Sequence, residues 1–234
     1  MRFLTLLGLF WLVMASGAKA DGLTLTVSTN NTPQDRKALE LLSREVFQRV
    51  GLNLKLVNNP SERSLDLANQ GEVDGEGLRV AGLESQYPNL VRVPERFIGI
   101  SFVAFSRDAS IKLDQGWGSL KPYRIAFING WKLFEANTTA VQSVTKVDKV
   151  EQLFQMLAAD RVDLVLYTRS DGFATLKGLG ISNVAALSPS LRDADMYLYL
   201  NIKHTAQVPR IAKALRDMKA DGSYHNIMMQ IAAQ

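Results

Sequence analysis

The stretch NLKLVNNPSERSLDLANQGEVDGEGLRV, residues 53–80, decides the fold. NLKLVNN alternates apolar and polar side chains, as a strand does. Asn59-Pro60-Ser61-Glu62 follows: a capping amide, a proline at the first helical position and a glutamate at the third, the opening of a helix that stops near Gly71. VDGEGLRV then returns to extended spacing. Upstream, LTLTVS (23–28) is a further strand, and Leu39, Leu42, Val46 and Val50 recur at helical spacing before Gly51. The order β-α-β-α-β packs as right-handed crossovers on a parallel sheet. The last strand ends on a fixed positive charge, Arg79, just where its bulky apolar side chains run out.

Beyond residue 80 the pattern changes and then restarts. VRVPERF (91–97) and IGISFVAFS (98–106) read as extended, apolar and paired, and a Gly-, Asp- and Lys-bearing loop (107–122) separates them from YRIAFING (123–130), again a strand. TTAVQSV (138–144) reads as the next strand. Asp148 and Glu151 read as the cap of a helix with Val150, Leu153, Phe154 and Leu157 on one face, before the strand VDLVLYT (162–168). MYLYLNI (196–202) is extended, and a helical tail carries Ile211, Leu215 and Met218 up to Gly222. Two α/β units joined by two long extended connections predict an α/β chain of two lobes with a cleft between them.

Compartment narrows the chemistry. Arg2, the apolar run Phe3 to Met14 and Ala18-Lys19-Ala20 have the plan of a secretory leader cleaved after Ala20. The run falls short of the ~20 apolar residues that span a bilayer. No cysteine is present, which excludes disulfides, thiolate metal sites and a cysteine nucleophile. Losing Arg2 and Lys19 with the leader leaves 25 basic against 23 acidic residues, a formal charge of +2, too mild to indicate nucleic acid or an anionic membrane as partner.

ALRDMKADGSYHNIM (214–228), with the strand MYLYLNIKH before it, resembles the C-terminal signature of periplasmic solute-binding proteins of amino-acid-type ABC transporters. NQGEVDG (69–75) and AADRVDLVLY (158–167) are similar to that family's Gly-x-x-Asp step before the third strand and its equivalent in the second lobe. The resemblance covers nearly all of the chain after the leader. It implies a Venus-flytrap fold of two lobes and two hinge strands, with residues 21–104 plus 198–234 as one lobe and 105–197 as the other. It also implies a monomer in the periplasm that binds a small polar ligand, working with an ABC permease or a membrane sensor and needing no cofactor or metal.

Ligands of open α/β sheets sit beyond the carboxyl ends of the strands. Arg79 lies at such an end, where a guanidinium can hold a carboxylate or phosphate, or can instead serve as structural partner to Glu76 or Glu84. In typical members of the family the carboxylate-holding arginine comes later, after a threonine, where this chain has LESQYPN (83–89). The family's acidic clamp for a ligand ammonium would fall at Thr168, which is followed by Arg169. The ligand expected is small and polar, anionic or amino-acid-like, and two arginines without such an acid favour an anion over an ordinary α-amino acid. Asn30, at the end of the first strand, is a ligand contact or a turn residue; Arg63 stands in the first turn of the Pro60 helix, whose free N–H groups favour anions. Gly130 and Trp131 follow the first strand of the second unit, as a backbone turn and an aromatic wall.

An enzyme needs a constellation that the sequence lacks. His204 and His225 are the two histidines and neither has metal-ligand spacing, and no nucleophile elbow, phosphate loop or dinucleotide fingerprint occurs. Some enzymes of the cyclic dehydratase type share this fold, which leaves Glu76 as an acid/base alternative. A sensing module, or one that has lost its ligand, is the other alternative.

Overall fold

The structure, a computed structural model, describes residues 22–29 and 32–232, with Ser61 as backbone alone. The leader and Asn30 lie outside the described residues. The elements run β1 (Thr24–Thr29), α1 (Pro33–Arg49), β2 (Asn53–Asn58), α2 (Ser61–Gln70), β3 (Gly75–Arg79), β4 (Leu90–Arg92) and β5 (Ile98–Ser106). β6 (Arg124–Ile128), α3 (Lys132–Asn137), β7 (Ser143–Val147), α4 (Val150–Ala158), β8 (Leu164–Thr168) and α5 (Arg169–Gly178) follow. The chain continues through β9 (Ala185–Ala186), β10 (Arg192–Asn201), α6 (Val208–Ala220) and α7 (Ser223–Ala232).

The strands form one sheet in the order β2-β1-β3-β10-β5-β8-β6-β7, with β4 added on β10 and β9 on β5. β1 is parallel to β2 and β3, and β6 is parallel to β7 and β8, as two βαβ units require. β5 and β10 join the halves antiparallel, from Ile98 opposite Met196 to Phe102 opposite Arg192.

Two bodies of apolar side chains flank this crossing. The first packs α1, α6 and α7 on one face, with Leu39, Leu42, Phe47, Leu198, Ile211 and Leu215, and α2 on the other, with Leu65, Ala68 and Tyr199. The second packs α4 and α5 through Phe105, Phe154, Val165 and Leu176, and α3 through Phe127 and Phe134. Each fully buried side chain of this size is worth about 1.5–3 kcal/mol relative to exposure.

The aspartates of Gly71-x-x-Asp74 and of its counterpart Asp160-x-x-Asp163 do the same structural work in each half. Asp74 Oδ2 accepts the Thr26 N–H at 2.8 Å, and Asp163 Oδ2 accepts the Arg124 N–H at 2.8 Å. Each thereby ties the start of a third strand to the first strand of its unit.

Four local readings are corrected. VRVPERF and IGISFVAFS do not pair with each other, because β4 and β5 both pair with β10. The strand expected at 138–144 lies at 143–147, because the Thr138 hydroxyl donates to the Phe134 carbonyl and finishes α3 instead. Asn59 does not cap α2; its amide donates to Ser28 Oγ at 2.9 Å, and the helix starts after Pro60. Asp148 and Glu151 form no capping pair: α4 starts after Lys149, and Asp148 faces the Asn129 amide at 3.5 Å.

Candidate functional site

The puzzle of Arg79 is settled by a backbone irregularity. Along a regular strand, residues three apart face opposite sides. Leu78 adopts φ 46°, the left-handed region, and the β3–β10 register shifts there: Glu76 is opposite Tyr199 and Arg79 opposite Tyr197. The extra residue is a β-bulge, which turns the strand so that Glu76 and Arg79 meet. Arg79 Nε donates to Glu76 Oε1 at 2.6 Å and its Nη2 lies 2.5 Å from the same oxygen. Gly77 lets the bulge lie against α1, since a Cβ there would come within 2.3 Å of Leu39.

Glu76 is fully buried, and burial pushes its carboxyl up from the ordinary value of 4.5, opposed by Arg79 and by Ser64. Its other oxygen lies 2.5 Å from Ser64 Oγ, which is 2.7 Å from Ser28 Oγ. One hydroxyl carries one proton, so Ser64 donates to Glu76 and receives from Ser28, which receives from Asn59. The ends of β1, β3 and α2 are thus joined by one chain of hydrogen bonds running into a charge pair. Arg79 belongs to that chain: the structural partnership with Glu76 is the arrangement present, and the cation carries its counter-charge with it.

In the second half, Gly130 takes φ 79° in the turn after β6, as a glycine can, and delivers Trp131 to the start of α3. Trp131 is half-buried and stacks on Phe134 and Tyr167, with ring centroids 5.4 and 4.9 Å apart, and meets Phe102 edge-on at 6.2 Å. Thr168 is buried at the start of α5, and its hydroxyl lies 3.2 Å from Asp171 Oδ2. Arg169 is half-buried beside Asp193, whose carboxyl is held low by hydrogen bonds from Ser101 and Ser190 and by the Arg169 charge. Arg63 is exposed on α2.

Sequence reasoning missed the groups at the crossing between the halves. Asp35 and Asp171 are both buried, one on α1 and one on α5. Asp171 Oδ1 accepts the Gln34 N–H at 3.0 Å, so a side chain of the second half caps a helix of the first. Thr32 Oγ1 lies 2.6 Å from Asp171 Oδ2 and 2.9 Å from Asp35 Oδ2. The available signal was a repeated pattern, Thr32-x-x-Asp35 and Thr168-x-x-Asp171, which looks like two ordinary capping boxes.

A cavity of about 440 Å³ opens along the crossing strands, lined by Arg96, Gly99, Ile100, Ser101, Asp193, Ala194 and Asp195. Another of about 450 Å³ lies at the outer edge between β7 and α4. Neither is lined by the strand-end residues singled out in the sequence, although Arg169 acts on Asp193 in the first. Among the described residues no group of three His, Cys, Asp or Glu side chains is placed to hold a metal, and no helix is long and apolar enough to cross a membrane.

No family model matches the chain. A relative in Shewanella oneidensis, described as an uncharacterized protein, is 23% identical over 226 residues, covering 90% of this chain and 83% of that one. Among solved structures, the GluR0 ligand-binding core in complex with L-glutamate superimposes with a TM-score of 0.76 at 11% identity, covering 90% of this chain and 99% of that one. ArgBP from T. maritima gives 0.69 at 16% identity, over 90% and 96% of the two chains. A histidine kinase sensor domain with similarity to periplasmic binding proteins gives 0.70 at 14% identity, also over 90% and 96%. At such identities the likeness is one of fold, and it agrees with the sheet order and the paired crossing strands: this chain has the two-lobed type II periplasmic binding protein fold.

Proposed function

We propose that this protein is an exported solute-binding protein, not an enzyme, which captures a small polar, anionic or amino-acid-like ligand between its lobes by hinge closure and hands it to an ABC permease. The carrying observation is the crossing. Two strands, β5 and β10, join two separately packed bodies, and the carboxyl ends of β1, β3, β6 and β8 turn toward that crossing. The GluR0 core of the same fold, solved in complex with L-glutamate, supports an amino-acid-like ligand. We place the lobes at 21–104 plus 198–234 and at 105–197, the leader at 1–20, and the ligand against Trp131, the Gly130 turn, Thr168 and Arg169, with Asn30 and Arg63 from the facing lobe. Arg79 and Glu76 shape that wall as a neutralised pair, so the preference for an anion rests on Arg169 and Arg63.

A sensing role is the second reading, favoured by the match to the kinase sensor domain. Glu76 as an acid/base is disfavoured by its complete burial and its engagement by Ser64 and Arg79. The test is to incubate the purified protein with a metabolite pool, follow its melting temperature and identify what is retained. The expected result is a raised melting temperature with the retained compound recovered unchanged. A consumed compound would overturn the reading in favour of catalysis, and a pool that never shifts the melt would overturn ligand capture.

A further inference from the structure

We propose that Asp35, Thr32 and Asp171 form a proton-dependent latch between the two lobes, fastened when Asp35 carries a proton and loosened when it does not. The argument begins with a count of hydrogens. Thr32 Oγ1 sits within hydrogen-bond distance of two carboxyl groups, at 2.6 Å from Asp171 and 2.9 Å from Asp35, and it has one proton to give. Asp171 already accepts from the Gln34 N–H and the Thr168 hydroxyl. The Asp35 carboxyl has Thr32 alone among the described hydrogen bonds. The arrangement is complete when Asp35 donates its own proton to Thr32 and Thr32 donates to Asp171. Without that proton, two anions would face one hydroxyl at a site where both side chains are buried.

The compensation at hand is small: each carboxyl stands in the first turn of its helix, and Thr32 donates one hydrogen bond, but no cation among the described residues faces the pair. α1 brings Asp35, α5 brings Asp171, β8 brings Tyr167, and Glu151 at the start of α4 adds further negative charge felt by Tyr167. Neither carboxyl takes part in any ion pair among the described residues. In agreement, burial and the Asp171 charge push Asp35 from 3.8 up to about 7. α1 is packed into the first body and α5 into the second, so the contact exists only while the lobes are together.

The sign follows from linkage. Asp35 binds its proton more tightly with the lobes together than apart, where water reaches it and its value returns toward that of an ordinary carboxylate. Closing therefore takes up a proton over the window from about 3.8 to about 7. The latch is at full strength below that window and is lost as pH rises through it, by about tenfold in the closing equilibrium per pH unit at the steepest part. This proposal rests on the hinge reading but needs no ligand, so it is tested separately from solute capture.

The chain has no cysteine, so Lys55→Cys on β2 and Ser143→Cys on β7 place two dyes at opposite outer edges of the sheet. Protein unfolded and refolded to strip any bound solute is followed by energy transfer from pH 5 to pH 8. The expected result is an inter-dye distance that lengthens as pH rises. In Asp35→Asn, whose amide donates to Thr32 at every pH, the distance stays short throughout. In Thr32→Val it stays long throughout, with helical circular dichroism unchanged. A wild-type distance that is constant over this range, or an Asp35→Asn variant that follows the wild-type curve, overturns the latch.

Discussion

Arg79, a candidate ligand contact by its place in the sequence, is also a structural element. Its guanidinium stands at the end of a strand in a binding-protein fold, yet it is held by a carboxylate three residues earlier. Replacing it leaves Glu76 buried without a counter-charge, and breaking a buried pair in this way costs about 3–5 kcal/mol. Arg79→Ala is therefore expected to lower stability by about 3 kcal/mol in urea unfolding at pH 7.5. The deficit has a pH signature. A carboxyl whose folded value is raised contributes stability that is present below its unfolded value and lost as pH rises through the folded one. With Arg79 gone Glu76 is raised further, so the deficit shrinks at pH 4.5, where the carboxyl takes a proton. A melt of Arg79→Ala indistinguishable from wild type at both pH values would show that the pair contributes nothing. The bulge at Leu78 was invisible in the sequence because strand periodicity assigns Glu76 and Arg79 to opposite faces, and a single left-handed residue reverses that assignment.

At the scale of elements, the parts that were legible are those set by local chemistry. The β-α-β-α-β start, the two extended connections and the tail helices follow from apolar spacing and from Gly51, Gly71 and Gly222 as stops. The misplacement of β7 came from reading two threonines as strand when the first of them closes a helix. The site was less legible because its bonds are long-range: Thr32 and Asp171 are 139 residues apart, and each looks like the cap of its own helix. Two element-scale outcomes are expected. Asp74→Ala leaves the Thr26 N–H without its carboxylate and should cost about 1–3 kcal/mol, as should Asp163→Ala for the Arg124 N–H. Equal melts of wild type and both variants would refute the shared role. Gly172 is where α5 meets β5, and a Cβ there would come within 2.1 Å of the Phe105 ring. Gly172→Ala should lower stability by about 1–3 kcal/mol in calorimetry and displace the start of α5, weakening the lobe contact along with it.

For the molecule as a whole, the two bodies meet across strands β5 and β10 and across the α1–α5 contact. A bound solute is expected to shift the hinge equilibrium toward the compact state. Small-angle scattering should then report a smaller radius of gyration with solute at pH 8, where the latch is weak, and little change at pH 5, where it already holds the lobes together. Tight binding with an unchanged radius at pH 8 would refute hinge closure.

The sheet order carries one more consequence, and it concerns time. β10 is the last strand in the chain, yet it stands in the middle of the sheet between β3 and β5. A chain that emerges N-terminus first cannot complete this sheet until nearly its whole length is free. β1 to β3 wait, with one edge of β3 unpaired, for a strand some 110 residues later. On the proposed export route the chain must stay threadable until it has crossed, and the wiring itself delays closure: the strand that completes the sheet is among the last to arrive.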